Sequence, residues 1–171
     1  DTEWLFHIKQ GVKFHNGEEM TAKDVKASLE LCKESPQVSQ YGNSTGTIEI
    51  VDDYTIKITT DGPQSGLLSD LCHHGNAILP ADLIESGHDF NKEPIGTGPY
   101  KLVAWNKGES LVFEANEDYW DGAPAIKSIT WKVIPEGSSR TMALETGEVD
   151  LIIEVETTDL ARLEENPDIV A

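Results

Sequence analysis

Apolar positions in this chain come in short alternating runs separated by Gly, Pro and Asn/Asp punctuation, with a few stretches at helical spacing between them. Trp4-Leu5-Phe6-His7-Ile8-Lys9 and Val12-Lys13-Phe14-His15 flank Gln10-Gly11, which predicts a hairpin or a kinked strand, and Asn16-Gly17 is a turn. Thr21-Ala22-Lys23-Asp24 opens a helix: the Thr21 hydroxyl is placed to accept the third amide, and Asp24 suits the positive helix end. Val25, Leu29 and Cys32 give it an apolar face, and Ser35-Pro36 stops it. Residues 37–47 are polar and aperiodic, hence a surface loop, with Tyr41 its one large side chain. Ile48-Glu49-Ile50-Val51 and Thr55-Ile56-Lys57-Ile58-Thr59 alternate around Asp52-Asp53 as a hairpin. A short helix follows over 66–72 with Leu67, Leu68 and Leu71 inward, then the loop His73-His74-Gly75-Asn76, then a helix begun at Pro80 and ended by Gly87.

Beyond a compositional seam near residues 88–94 the alternation lengthens. Tyr100–Trp105, Leu111–Ala115 and Ile129–Ile134 read as strands of one sheet, with a turn region over 116–124 that carries Tyr119-Trp120. Ser138 or Ser139 caps a helix through Met142 and Leu144 that Gly147 closes, Val149–Val155 reads as a buried strand, and Thr157 or Thr158 begins a last helix. The whole is mixed α and β. Pro94-Ile95-Gly96-Thr97-Gly98-Pro99-Tyr100 concentrates two glycines and two prolines at the seam, as a rigid corner between subdomains requires. It is no phosphate loop, because no Lys-Ser/Thr follows and the next element is a strand.

Charge then narrows the partners. Across 171 residues, 31 acidic against 13 basic side chains give a net charge of −18, which opposes binding to nucleic acid or anionic lipid. No apolar run approaches the roughly 20 residues that span a bilayer. Asp1 is no initiator methionine and a strand-like run follows at once, so the chain reads as a piece cut from something longer.

Catalytic patterns are missing: there is no Gly-x-Ser-x-Gly elbow, no cysteine with a placed His and Asn, and Asp52-Asp53 and Glu164-Glu165 read as solvated faces. His73-His74 is the one adjacent histidine pair, but neighbours in an extended loop diverge, and neither His-Glu-x-x-His nor Cys-x-x-Cys supports a metal. His7 and His15 read as ordinary strand residues. Trp4, Trp120 and Trp131 read as core, and Trp105 is open to either core or pocket.

Several motifs occur in an order that resembles a known family. They are Gly11-Val12-Lys13-Phe14-His15-Asn16-Gly17, Thr21-Ala22-Lys23-Asp24-Val25, the Pro94–Tyr100 corner, Asn116-Glu117-Asp118-Tyr119-Trp120, Val133-Ile134-Pro135 with Arg140, and Gly147-Glu148-Val149-Asp150. Together they resemble the extracellular solute-binding proteins of peptide and nickel ABC importers, family 5, from end to end, and the stretch 124–150 looks especially like the nickel-binding branch. The resemblance implies a type II periplasmic-binding-protein lobe with a mixed sheet flanked by helices. Residues 1–90 would be the smaller subdomain of the first lobe, residues 91–171 part of its main sheet subdomain, and the second lobe lies outside this chain. It further implies a binding protein rather than an enzyme, which captures an oligopeptide, dipeptide or nickel complex and hands it to a membrane permease, with no cofactor. Its place would be the periplasm or the cell exterior, where a lipid anchor ahead of Asp1 could tether it. Tyr41 and Asn76 are the ligand-lining residues that the resemblance implies, although the nickel branch's arginine near Asn76 is missing. The alternative is an acidic interaction module without a small-molecule ligand, with a hydrolase behind it. In an oxidising compartment Cys32 and Cys72 could form one disulfide; two buried free thiols are the other arrangement.

Overall fold

The computed structural model describes residues 2–170. The first sheet has the order β1-β3-β2, with β1 (Glu3–His7), β2 (Thr47–Asp52) and β3 (Thr55–Thr59) all antiparallel. Register places Trp4, Ile58 and Ile48 in one row and Phe6, Ile56 and Ile50 in the next, so one face is apolar; the opposite face carries Leu5, Lys57 and Glu49. Helix α1 (Ala22–Glu34) lays Ala22 and Leu29 on the apolar face beside Leu67, and Ile58 and Leu67 are both fully buried.

The β2–β3 hairpin forms as the alternation predicts; the hairpin of β1 with 12–15 does not. Gly11, at φ 74°, turns the chain away, and β1 pairs with the middle strand, whose Ile56 and Ile58 offer a matching apolar row. Val12 and Phe14 are buried within a separate tight loop, in which Phe14 N–H donates to Glu18 O (2.8 Å) and Met20 N–H to Val12 O (2.8 Å).

Helix α1 starts where the sequence predicts, and Asp24 does more than complement the helix end. Its Oδ2 accepts from the Thr21 amide (2.8 Å) and hydroxyl (2.9 Å), while Oδ1 accepts from the Ala81 amide (2.8 Å). Ser28 Oγ donates to Asp24 O (2.7 Å) and accepts from the Leu79 amide (2.8 Å). Both side chains are buried, and they fasten α4 (Ala81–Glu85), which follows Pro80, to the start of α1.

Residues 37–47 correct the surface-loop expectation. They hold helix α2 (Ser39–Gly42) and a 3₁₀ turn over Asn43–Thr45, with Gly42 and Thr45 buried. Glycine is required here: a Cβ on Gly42 would lie 2.8 Å from the Lys33 amide nitrogen, and at Gly46, where φ is 56°, a Cβ would collide with the Thr59 carbonyl. In α3 (Leu67–Leu71), Leu68 points outward and is half exposed, because five residues bury only one side of a single turn.

The Pro94–Tyr100 stretch is fixed, though not by its glycines. Gly96 and Gly98 have no positive φ and open space around them. Instead His15 N–H donates to Gly96 O (2.9 Å), Gly96 N–H donates to His15 Nδ1 (3.4 Å), and His15 Nε2 donates to Gly98 O (3.0 Å). Asn116, almost completely buried, adds Nδ2–H to Gly98 O (3.1 Å) and N–H to Pro99 O (2.8 Å). His15 is therefore a latch rather than an ordinary strand residue.

The second sheet comprises β4 (Tyr100–Asn106), β5 (Ser110–Ala115) and β6 (Ser128–Lys132) in sequential order, as the three alternating runs predict. Helix α5 (Gly137–Glu145) has Glu136 at its N-cap position, without a side-chain capping bond, so Ser138 and Ser139 lie inside its first turn rather than capping it. Val149–Val155 forms no strand. Arg140 takes the carbonyls of Ile134 (3.1 Å), Pro135 (2.9 Å) and Glu154 (3.0 Å), and Glu154 sits at φ 58°, a conformation that breaks an extended run. Leu151 and Ile153 are exposed as a result. Helix α6 (Thr157–Glu164) buries Leu163, and Arg162 pairs with Glu145 and with Asp159 (3.1 Å).

By contacts the chain forms two compact units, Asp1–Val103 with Phe113–Ile129, and Ala104–Val112 with Thr130–Ala171. Cys32 and Cys72 are free thiols, Cys32 buried and Cys72 exposed, and burial pushes the Cys32 thiol pKa up. Among the described residues no helix is long and apolar enough to cross a membrane.

Candidate functional site

The structure brings Tyr41 and Asn76 together. Asn76 closes the 3₁₀ turn His74–Asn76 after α3 and is buried, with 5% of its surface exposed. Its Nδ2 donates to Asp70 O (2.8 Å) and to Tyr41 O (3.2 Å), so one amide joins the end of α3 to α2. The remaining acceptor, Oδ1, is buried without a partner. Asn76 thus holds Tyr41 in place through its backbone, and the exposed side of the cluster is formed by other groups.

Those groups are rings. Tyr41 stacks on His73 with centroids 3.3 Å apart and planes 15° off parallel, and His73 lies 4.0 Å from the His74 ring at 36°. Tyr41 and His73 are half-buried, His74 and Cys72 exposed. His73 precedes the 3₁₀ turn and caps it, its Nδ1 accepting the Gly75 N–H (3.1 Å). A ring nitrogen that accepts carries no proton, so the ring proton resides on Nε2. Desolvation, followed by the neighbouring His74, lowers the His73 pKa below 6.5, with Asp70 opposing.

That tautomer bears on metal chemistry. A ligating histidine usually donates its second ring N–H outward and offers the other nitrogen to the ion, whereas His73 uses its lone pair on Gly75. Among the described residues no group of three or more His, Cys, Asp or Glu is placed to hold a metal ion.

The expected core tryptophans divide. Trp4 packs against the buried cluster, but Trp120 and Trp131 are 42% and 50% exposed. Trp120 is covered by a cation instead of a core, with Lys9 Nζ 4.4 Å from its ring centroid. Trp105 is also half exposed, with Lys107 Nζ 5.3 Å from its ring. A shallow depression of about 400 Å³ lies elsewhere, lined by His7, Ile8, Gln10, Asp52, Asp53, Tyr54 and Thr55, and includes neither Tyr41 nor Asn76. Sequence reasoning missed the ring stack and the His15 latch. The spacing of Tyr41 from His73-His74 carries no periodic signal, since only the packing of α2 on α3 joins them.

The description "Bacterial extracellular solute-binding proteins, family 5 Middle" matches residues 1–171. The glutathione-binding protein GsiB of Pectobacterium atrosepticum is 34% identical over 164 residues, covering 93% of this chain and 32% of that protein. The periplasmic binding protein DppA of Helicobacter pylori, solved with the peptide STSA, superposes with a TM-score of 0.86 at 30% identity, over 97% of this chain and 38% of that one. A nickel ABC transporter protein of Bacillus halodurans gives a TM-score of 0.86 at 32% identity, over 97% of this chain and 34% of that one. The chain spans about a third of the length of the curated relatives it matches. Sequence order, fold and these matches agree, and the chain belongs to the bacterial extracellular solute-binding proteins of family 5.

Proposed function

We propose that this chain is part of the substrate-binding component of an ABC importer. It captures an oligopeptide, dipeptide or nickel complex outside the membrane, in the periplasm or at the cell exterior, and delivers it to the permease without altering it chemically. The observation that carries this reading is the family match over residues 1–171. Likeness to DppA, solved with a peptide, supports a peptide ligand. Between peptide and nickel complex, the His73 tautomer favours the peptide, because the lone pair a metal would need is committed to Gly75.

In this reading residues 1–90 form the smaller subdomain of a first lobe and residues 91–171 part of its main sheet subdomain, the second lobe being supplied by polypeptide outside this sequence. Tyr41 lines the ligand side, and Asn76 positions it. Native mass spectrometry of the full-length protein, purified from its natural host without refolding, tests the reading: a retained peptide is expected. A retained nickel complex would move the assignment to the nickel branch, and ligand-free protein that binds neither would favour an interaction module.

A further inference from the structure

Val149-Asp150-Leu151-Ile152-Ile153 is interrupted by one polar residue only, and Leu151 to Ile153 are apolar without a break. A strand wet on one face alternates, whereas a strand covered on both faces has this continuous composition. In this structure the run lacks such cover: Leu151 is 73% exposed and Ile153 51%. Among the described residues no hydrogen bond engages the amides or carbonyls of 150–153. The run is nonetheless bounded on both sides, by the Val149 N–H donated to Ala143 O (3.2 Å) at the end of α5 and by Glu154, which sits at φ 58° and gives its carbonyl to Arg140. Strand β6, helix α5 and this run follow one another in the order of a strand–helix–strand crossover unit, whose second strand belongs in a sheet. Trp131 in β6 and Val133 just after it are exposed as well.

We propose that residues 149–153 are the receiving strand of an incomplete sheet, and that its occupant is an apolar β-strand supplied by polypeptide of the full-length protein outside these 171 residues. The inference rests on the reading of this chain as part of a longer binding protein, and the chain spans about a third of the length of the curated relatives it matches. Backbone groups of four successive residues are free to form a ladder, and side chains on both faces of the run are apolar, so the fitting partner is extended and apolar. A tethered strand outcompetes a second copy, because its effective concentration is on the order of millimolar. An apolar edge left open would recruit other chains, a hazard that pairing within the same polypeptide removes.

Hydrogen exchange and NMR on the full-length protein, with no ligand added, test the proposal. The amides of Leu151, Ile152 and Ile153 are expected to exchange at least about a hundredfold more slowly than in a free peptide of the same sequence, with Cα and Cβ shifts of a strand. Exchange at the free-peptide rate, or helical shifts, overturns the proposal, and neither result needs a variant to fold. Protection that disappears on dilution identifies a second copy as the occupant and overturns it as well. In the full-length protein L151D is expected to raise the unfolding equilibrium constant about a hundredfold or more, since a carboxylate would enter a covered apolar strand; an unchanged urea midpoint would show that Leu151 stays at the surface. Neither measurement uses a ligand, so a failure to bind peptide removes the peptide reading without touching this result, and unprotected amides leave peptide binding intact.

Discussion

Asn76 satisfies two backbone carbonyls with one side-chain amide, and both acceptors belong to elements that carry the ring stack. Asn76→Ala is expected to destabilise the fold by about 1–3 kcal/mol, the cost of losing two side-chain hydrogen bonds that tie the end of α3 to α2, read by urea unfolding. Asn76→Asp should do no better, since a carboxylate places acceptors against acceptors. His73 makes a signed prediction. Its folded pKa lies below 6.5, so the unfolded chain binds the proton more readily. The stability linked to His73 is fully present above about pH 6.5 and is lost as pH falls through the folded value. NMR titration should give a His73 midpoint below that of a histidine in a denatured control; a midpoint above it would contradict the desolvated, stacked geometry.

At the scale of elements, the latch on Gly96–Pro99 can be isolated experimentally. His15→Ala removes two ring hydrogen bonds while leaving the backbone bond to Gly96 O. A loss of about 1–3 kcal/mol is expected, with faster hydrogen exchange at the Gly96 amide and little change in β1–β3. An unchanged Gly96 exchange rate would show that the prolines and Asn116 hold the segment unaided. Elements with strong internal periodicity were legible in advance: α1 from Val25, Leu29 and Cys32, and the β2–β3 hairpin from its alternation. Partner choice was not, because β1 offers Trp4 and Phe6 to any apolar row, and only the assembled sheet sets Ile58 and Ile56 opposite them. Residues 149–155 failed for a related reason. An apolar run becomes a strand only beside another strand, and here Arg140 takes the Glu154 carbonyl instead.

At the scale of the molecule, the two-lobe reading has a thermodynamic consequence. Pockets enclose about 70–90% of a small ligand's surface, and one lobe covers one side of it. Two charge-assisted contacts missing, at about 1.5–3 kcal/mol each, weaken binding about a hundredfold or more. Calorimetry of this 171-residue chain against the full-length protein, with the ligand the latter retains, is therefore expected to show at least that difference. Equal affinities would place the entire site within the chain.

The sequence by itself determined the class of the fold, the starts of α1, α4 and α6, most of the strands and the family, because these rest on local periodicity, turn chemistry and the order of motifs along the chain. Tyr41 and Asn76 were picked out by resemblance, yet their relation was not readable: 35 residues separate them, and a hydrogen bond from Asn76 Nδ2 to Tyr41 O exists only once α2 and α3 have packed. The same holds for His15, whose ring finds Gly98 across 83 residues of chain, and for Asp24, which caps its own helix and holds the Ala81 amide. Side-chain hydrogen bonds between distant segments leave no period in a sequence, since either partner satisfies its local rules alone; tertiary structure decided them by bringing buried donors and acceptors to distances at which leaving them unpaired would cost more than pairing them.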